Sequence, residues 1–294
     1  MNTTMPSAKK STNVRALPFP LRAVAMGLRT LDKFAPQRAA TTSARLFCYP
    51  PKHARPRREQ AWLENATPFR VRLGRSEVRA WRWGSGDRVV FLMHGWAGRG
   101  AQLGGMVEPL LKRGLSVVTW DGPGHGDSPG SSSSLVELSD SAFAVARHLR
   151  LDPHGIIAHS MGGGAMGLAL AEGLDVKRAV LISPPASLLH YVDQYAGAMG
   201  FSLAMQDRLT ETMNRSFRVN MADFDVEAMR VPGGERLLVI HDEGDLEVPF
   251  EHGERVARAV GAAGLIRTEG LGHKRILLSD RVVRTATDWI VDAS

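Results

Sequence analysis

The chain is poor in cysteine, with Cys48 alone among 294 residues. One thiol excludes an intrachain disulfide framework and a multi-cysteine zinc site. It fits a reducing compartment, and the expected location is the cytoplasm. The stretch Arg45-Leu46-Phe47-Cys48-Tyr49-Pro50-Pro51 has no strand-turn-helix signal, so this thiol is expected to pack rather than react. Long apolar runs are also missing, and none reaches the length of a bilayer span. Residues 17–28 come nearest to a signal-peptide core, but Arg22 interrupts them and Pro18 and Pro20 crowd their start.

Acids are scarce at the beginning. Residues 1–58 hold twelve Lys/Arg and one acid, Asp32, whereas the whole chain has 37 Lys/Arg and 30 Asp/Glu. The net charge of +7 therefore resides in an N-terminal arm, and the remainder is mildly acidic. Such an arm is expected to meet the protein's own body, or an anionic membrane surface weakly and peripherally through residues 1–58. Its acid-poor, Ser/Thr-containing composition is shared with organellar transit peptides. No nucleic-acid recognition module accompanies the charge, so no specific nucleic-acid partner is expected. The sequence leaves the oligomeric state open.

What is present is a 44% hydrophobic content, enough for one sizeable core. Residues 1–15 are polar and aperiodic and are expected to be disordered. From Leu21, apolar residues at Val24, Ala25, Leu28, Leu31 and Phe34 follow helical spacing. This predicts one amphipathic helix in an arm spanning residues 1–65, and docking on the body is favoured over a membrane-surface role. Residues 50–58 read as a basic, proline-rich linker. Beyond them, residues 69–73 and 77–83 alternate like a β-hairpin. Short apolar runs follow at 88–93, 115–120, 155–158, 178–182, 236–240 and 265–268, with helical stretches such as 135–149 and 163–172 between most of them. Strands alternating with helices predict an α/β fold with a mostly parallel central sheet covered on both faces. Functional groups then gather at the carboxyl ends of strands.

Five motifs sit at such ends. Ala158-His159-Ser160-Met161-Gly162 joins a strand to a small-residue helix. It matches G-x-S-x-G except that Ala158 stands for the first glycine, adding one methyl to a turn that demands small residues. Gly162, Gly164 and Gly167 also fit a dinucleotide fingerprint, but Ser183-Pro184-Pro185-Ala186-Ser187 stands where its acid belongs, so no cofactor is expected. His94-Gly95-Trp96-Ala97-Gly98 follows residues 88–93. Asp121-Gly122-Pro123-Gly124-His125-Gly126-Asp127-Ser128-Pro129 follows 115–120 and reads as a stiffened turn. His241-Asp242-Glu243-Gly244-Asp245-Leu246-Glu247-Val248-Pro249 follows 236–240, and its His and acids lack metal-site spacing, so no metal is expected either. Gly270-Leu271-Gly272-His273-Lys274-Arg275 follows 265–268 and precedes a predicted helix over 274–291.

Together these motifs resemble the α/β-hydrolase superfamily over residues 69–292. The resemblance implies a domain over residues 66–294 with a small helical cap after the sixth strand, about 184–234. It implies Ser160 as nucleophile, His273 as base and Asp245 as the acid that orients it, with Asp242 as the rival acid and His125 as a lesser rival base. It places the oxyanion-hole N–H groups at Trp96 and Met161, and His94, Gly95 and His159 beside the substrate. The implied function is a serine hydrolase, most favoured as a carboxylesterase on a small to medium apolar ester. Thioesters, amides and C–C bonds could use the same residues, and a slow-turnover ligand-binding protein is the alternative of another class. Methionines and aromatics of the cap, such as Met199, Met205, Phe224 and Met229, could line a flexible apolar pocket or simply pack, with Gly197 and Gly200 as hinge points.

Overall fold

A computed structural model of the chain describes residues 19–217 and 219–292. The disorder expected for residues 1–15 lies outside the described residues. The chain divides into two compact units, residues 1–44 with 189–219 and residues 45–188 with 220–294.

In the first unit, α1 (Phe19–Phe34) and α2 (Pro36–Phe47) accompany α7 (Leu188–Met199) and α8 (Leu203–Phe217). Ala25 and Leu28 of α1 bury against Met199, with Tyr195 and Phe201 at the margin. Ala39 and Ala40 of α2 seat Met205 beside Leu31 and Phe201. Two polar ties reinforce the contact: Arg208 to Asp32 at 2.7 Å and Gln37 to Thr212 at 3.0 Å. Met199 and Met205 therefore serve as packing.

The second unit carries the sheet. Its strands are β1 (Thr67–Leu73), β2 (Ser76–Trp83), β3 (Val89–Met93), β4 (Ser116–Trp120), β5 (Gly155–His159), β6 (Arg178–Ile182), β7 (Leu237–Asp242) and β8 (Gly264–Thr268), in the order β1-β2-β4-β3-β5-β6-β7-β8. β1, β2 and β4 pair antiparallel, and every pairing from β4 to β8 through β3 is parallel. All residues of β3, β4 and β5 are buried, which for alternating side chains means that both faces are covered.

On one face Val90, Leu92, Ile157, Val180, Ile182, Leu238 and Ile240 pack with Leu110 of α4 (Val107–Leu111) and Ile290 of α12 (Asp280–Val291). On the other, Trp120 stacks edge-on to Phe91 at 5.3 Å, and its indole N–H donates to Ser141 of α5 (Leu135–Leu149). Helix α6 (Met161–Ala171) packs against α5. Short helices α3 (Arg57–Leu63), α9 (Val226–Met229), α10 (Phe250–Val260) and α11 (Gly272–Arg275) complete the unit.

Three expectations change. Residues 19–65 hold three helices rather than one, and residues 45–65 belong with the sheet. Three of their charged residues are engaged there: Arg55 donates to Asp121 at 3.2 Å and Asp127 at 2.9 Å, Lys52 donates to the Ser128 carbonyl, and Glu59 pairs with Arg99. The expected cap splits, because residues 220–234 stay with the sheet while 189–219 join the arm's helices. The predicted helix over 274–291 is broken, since Ser279 leaves the helical region and its hydroxyl caps α12 by accepting from the Val282 N–H.

Candidate active site

The tightest turn of the sheet lies between β5 and α6. Ser160 adopts φ +54° and ψ −130°, a conformation L-residues rarely hold and one that costs on the order of 1–3 kcal/mol. The surroundings over-determine it. The Ser160 N–H donates to Ile182 O at 2.9 Å, and its carbonyl accepts from the Gly163 N–H at 2.7 Å. A side chain at Gly162 would run into the His94 carbonyl, so only glycine lets α6 start this close to the β3 loop. Ala158 is fully buried and its methyl is accommodated.

The turn aims the Ser160 hydroxyl at the loop after β8. Ser160 Oγ lies 2.9 Å from His273 Nε2, and His273 Nδ1 lies 2.7 Å from Asp245 Oδ2. The other Asp245 oxygen accepts the Glu247 and Val248 N–H groups, both at 2.9 Å. Burial alone would raise the Asp245 pKa. The His273 hydrogen bond and charge, with the two N–H groups, outweigh that and hold the carboxyl below its ordinary range. The loops after β5, β7 and β8 thus bring Ser160, Asp245 and His273 into one hydrogen-bonded chain.

Asp242, the rival acid, is turned elsewhere. It accepts from Gly244 N–H at 3.0 Å, Thr268 Oγ1 at 2.9 Å and Leu271 N–H at 3.0 Å. These bonds tie the β7 and β8 loops together and so fix the segment that presents His273. Here too the N–H donors, led by Gly272 and Leu271, overcome burial and lower the pKa. His125 donates from Nδ1 to the Pro123 carbonyl at 2.8 Å, and burial pushes its pKa down to about 4. Cys48 is buried, and its thiol is pushed up to about 12 by burial and then by the charge of Glu137, as befits an unreactive thiol.

The loop after β3 approaches Ser160 from the other side. The turn Gly95–Trp96–Ala97–Gly98 closes with Gly98 N–H on Gly95 O at 3.0 Å. A Cβ on Gly95 would stand only 2.7 Å from Ser160 Cβ. Trp96 follows Gly95 within this turn, its ring edge-on to His125 at 5.3 Å, and Met161 follows Ser160 as the first residue of α6.

His94 is not placed as expected. It is fully buried, its Nδ1–H donates to Gly95 O at 2.7 Å, and its Nε2 accepts from the Gly122 N–H at 2.8 Å. No ring atom remains for a substrate; His94 instead braces the β3 loop against the β4 loop. Burial lowers its pKa well below the ordinary range and keeps it neutral. His159 likewise points inward. Its Nε2–H donates to the His273 carbonyl at 2.8 Å, its ring lies 4.6 Å from the His273 ring, and burial followed by the His273 charge lowers its pKa to about 3.

The sequence weighs His241 only as a metal ligand; in the structure its Nε2 donates to the Val248 carbonyl at 2.9 Å and sits 3.6 Å from Asp245 Oδ2. A small apolar cavity lies beside Met161, walled by Leu135, Pro185, Leu188, Phe224 and Met229.

The sheet order, the helices around it and the strained serine after β5 define the α/β-hydrolase fold. A family model described as serine aminopeptidase, S33, matches residues 84–263, well over half of the chain, and the chain belongs to that family. A non-heme haloperoxidase of Rhodococcus erythropolis is 29% identical over 175 residues, 57% of this chain and 63% of that protein. The chain thus spans less than two thirds of that relative's length. An esterase of Pyrococcus furiosus superposes with a TM-score of 0.61 at 18% identity, covering 82% of this chain and 98% of that one. A monoacylglycerol lipase of Paleococcus ferrophilus superposes with a TM-score of 0.56 at 18% identity, covering 74% and 99%. At such identities the structural likeness establishes the fold alone.

Proposed function

We propose that the protein is a serine hydrolase that works through an acyl-enzyme, with a carboxylic ester of a small to medium apolar acid as its preferred substrate class. The unbroken chain Ser160–His273–Asp245 carries this reading. In it, Ser160 Oγ attacks the carbonyl carbon while His273 Nε2 takes the hydroxyl proton. Asp245 holds the imidazole with Nδ1–H toward itself and stabilises the imidazolium as it forms. The N–H groups of Trp96 and Met161 meet the developing oxyanion. His273 then protonates the leaving oxygen, and water repeats the sequence on the acyl-enzyme. The apolar walls beside Met161 favour an apolar acyl group. A serine, not an aspartate, at the elbow argues against epoxide or haloalkane chemistry by an ester-forming route.

The family description gives a second reading, hydrolysis of an amide with the same residues. Labelling with a fluorophosphonate probe and a substrate panel of esters, thioesters and amides separate the readings. Ser160→Ala is expected to abolish labelling and lower ester kcat/KM by at least about 10³-fold. An unlabelled but folded wild-type protein would favour a ligand-binding role, and retained activity in Ser160→Ala would end the proposal.

A further inference from the structure

Helix α1 has two apolar faces. Ala25 and Leu28 form the inner one and are buried within their own unit. The outer one is not covered: Phe19 is 82%, Met26 61% and Phe34 83% exposed. Their spacing of seven and eight residues puts these three side chains on one side of the helix, away from Leu28. The first turns stand out further still. Every residue from Phe19 to Val24 is exposed, including Leu21 and Val24, and the first buried position is Ala25. Leu203, at the start of α8 in the same unit, is also exposed. Single exposed apolar residues are ordinary, whereas three large ones along one side of a sixteen-residue helix mark a contact surface.

The charge beside that surface is of one sign. Arg22, Arg29 and Lys33, spaced by seven and four, run along the same side as Met26. Among the described residues, neither Arg22 nor Lys33 has an acidic partner, and Arg29 reaches only the Met199 carbonyl. The sole acid of α1, Asp32, is already paired with Arg208. Residues 1–18 add Lys9, Lys10 and Arg15 and no acid. A second copy pairing through its own α1 would bring the same bases and no free carboxylate to neutralise them. An apolar layer beneath a sheet of negative headgroups satisfies both features at once.

We propose that the outer face of α1 docks on an anionic lipid bilayer, with Phe19, Met26 and Phe34 entering the interface and Arg22 and Lys33 meeting headgroup phosphates. The helix lies on the surface rather than crossing it, for no helix among the described residues is long and apolar enough to span a membrane. The proposal is independent of the hydrolytic reading, because the contact involves none of the residues around Ser160.

Flotation of the full chain with vesicles tests it, using phosphatidylcholine alone or with about one quarter phosphatidylglycerol. The bound fraction should be at least about tenfold higher on the anionic vesicles at about 50 mM salt and should collapse at about 500 mM. Arg22→Glu with Lys33→Glu, and separately Phe19→Ser with Met26→Ser and Phe34→Ser, should each remove most of the binding. All five positions are exposed, so both variants should keep the wild-type melting temperature and the wild-type rate on a soluble ester. Equal binding to neutral vesicles, no binding by the wild type, or variants that float as well as the wild type would overturn the proposal. A wild-type dimer in solution that the apolar variant dissolves would also overturn it in favour of self-association.

Discussion

The two acids after β7 show how position within one loop divides labour. Asp245 offers one oxygen to backbone N–H groups and keeps the other for His273, whereas Asp242 gives all its bonds to the β7 and β8 loops. Asp245→Asn keeps an oxygen for Glu247 and Val248 but sets an amide against His273, which selects the wrong tautomer. Its kcat should fall by about 10⁴-fold, as loss of the orienting carboxylate does elsewhere, with stability held within about 1 kcal/mol. Asp242→Asn should instead lower stability by about 1–3 kcal/mol through unmade buried hydrogen bonds. Urea midpoints and kcat for both variants check this, and the opposite pattern would exchange their roles. Sequence spacing alone could not choose between them with certainty, because both acids are three residues apart on one loop. The choice depends on which N–H groups the folded loop turns toward each carboxylate.

At the scale of elements, the strand ends were legible and their bracing was not. Buried strands betray themselves by Val-, Ile- and Leu-rich runs, and the turns after them by Gly and Pro, so β3 to β8 and their loops could be read within a residue or two. That His94 holds two loops together could not, since its partners are backbone groups of Gly95 and Gly122 rather than side chains with a pattern. The approach of the β3 loop to the elbow makes a prediction. Gly95→Ala must displace Ser160 or the loop, and kcat should fall by about 10²-fold, the usual cost of an ångström of misplacement. Gly105→Ala, whose added methyl would meet nothing closer than 3.9 Å, is the control and should leave kcat unchanged. Equal kcat in the two variants would show that the approach is not needed.

For the whole molecule, the division into units was the least legible feature. Ala25 and Leu28 find Met199 across some 170 positions of chain, and no local periodicity encodes that distance. The buried histidines give the molecule a pH dependence. His125 and His159 are lowered from 6.5 to about 4 and about 3, so below pH 6.5 the unfolded chain binds their protons first. Their contribution is complete above that pH and is lost as pH falls toward 4 and then 3, at about 1.4 kcal/mol per unit for each ring. Asp121 and Glu137, raised by burial, act in the opposite sense and temper the loss at its acid end. The Tm should therefore fall steadily from pH 7 to 4, and His125→Gln should flatten the slope. A Tm constant across that range would contradict the neutral, buried state of these rings.

The strap formed by residues 45–65 sets where this gene can be cut. Its Arg55 faces Asp121, which is wholly buried, and its Glu59 faces Arg99, which is nearly so. A shortened chain begun at residue 66, the apparent edge of the recognisable domain, would strand both charges in the interior. Losing one partner of a buried pair costs about 3–5 kcal/mol, against a total stability of about 5–15 kcal/mol for a typical domain. Such a chain is expected to accumulate as insoluble protein. One begun at residue 45 keeps both pairs; it uncovers Met199 and Met205 and leaves Arg208 and Thr212 without Asp32 and Gln37, ties that are part-buried rather than fully buried, so a larger soluble fraction is expected. What looks like a dispensable leader is, from Arg45 onward, the belt that closes the unit carrying the sheet.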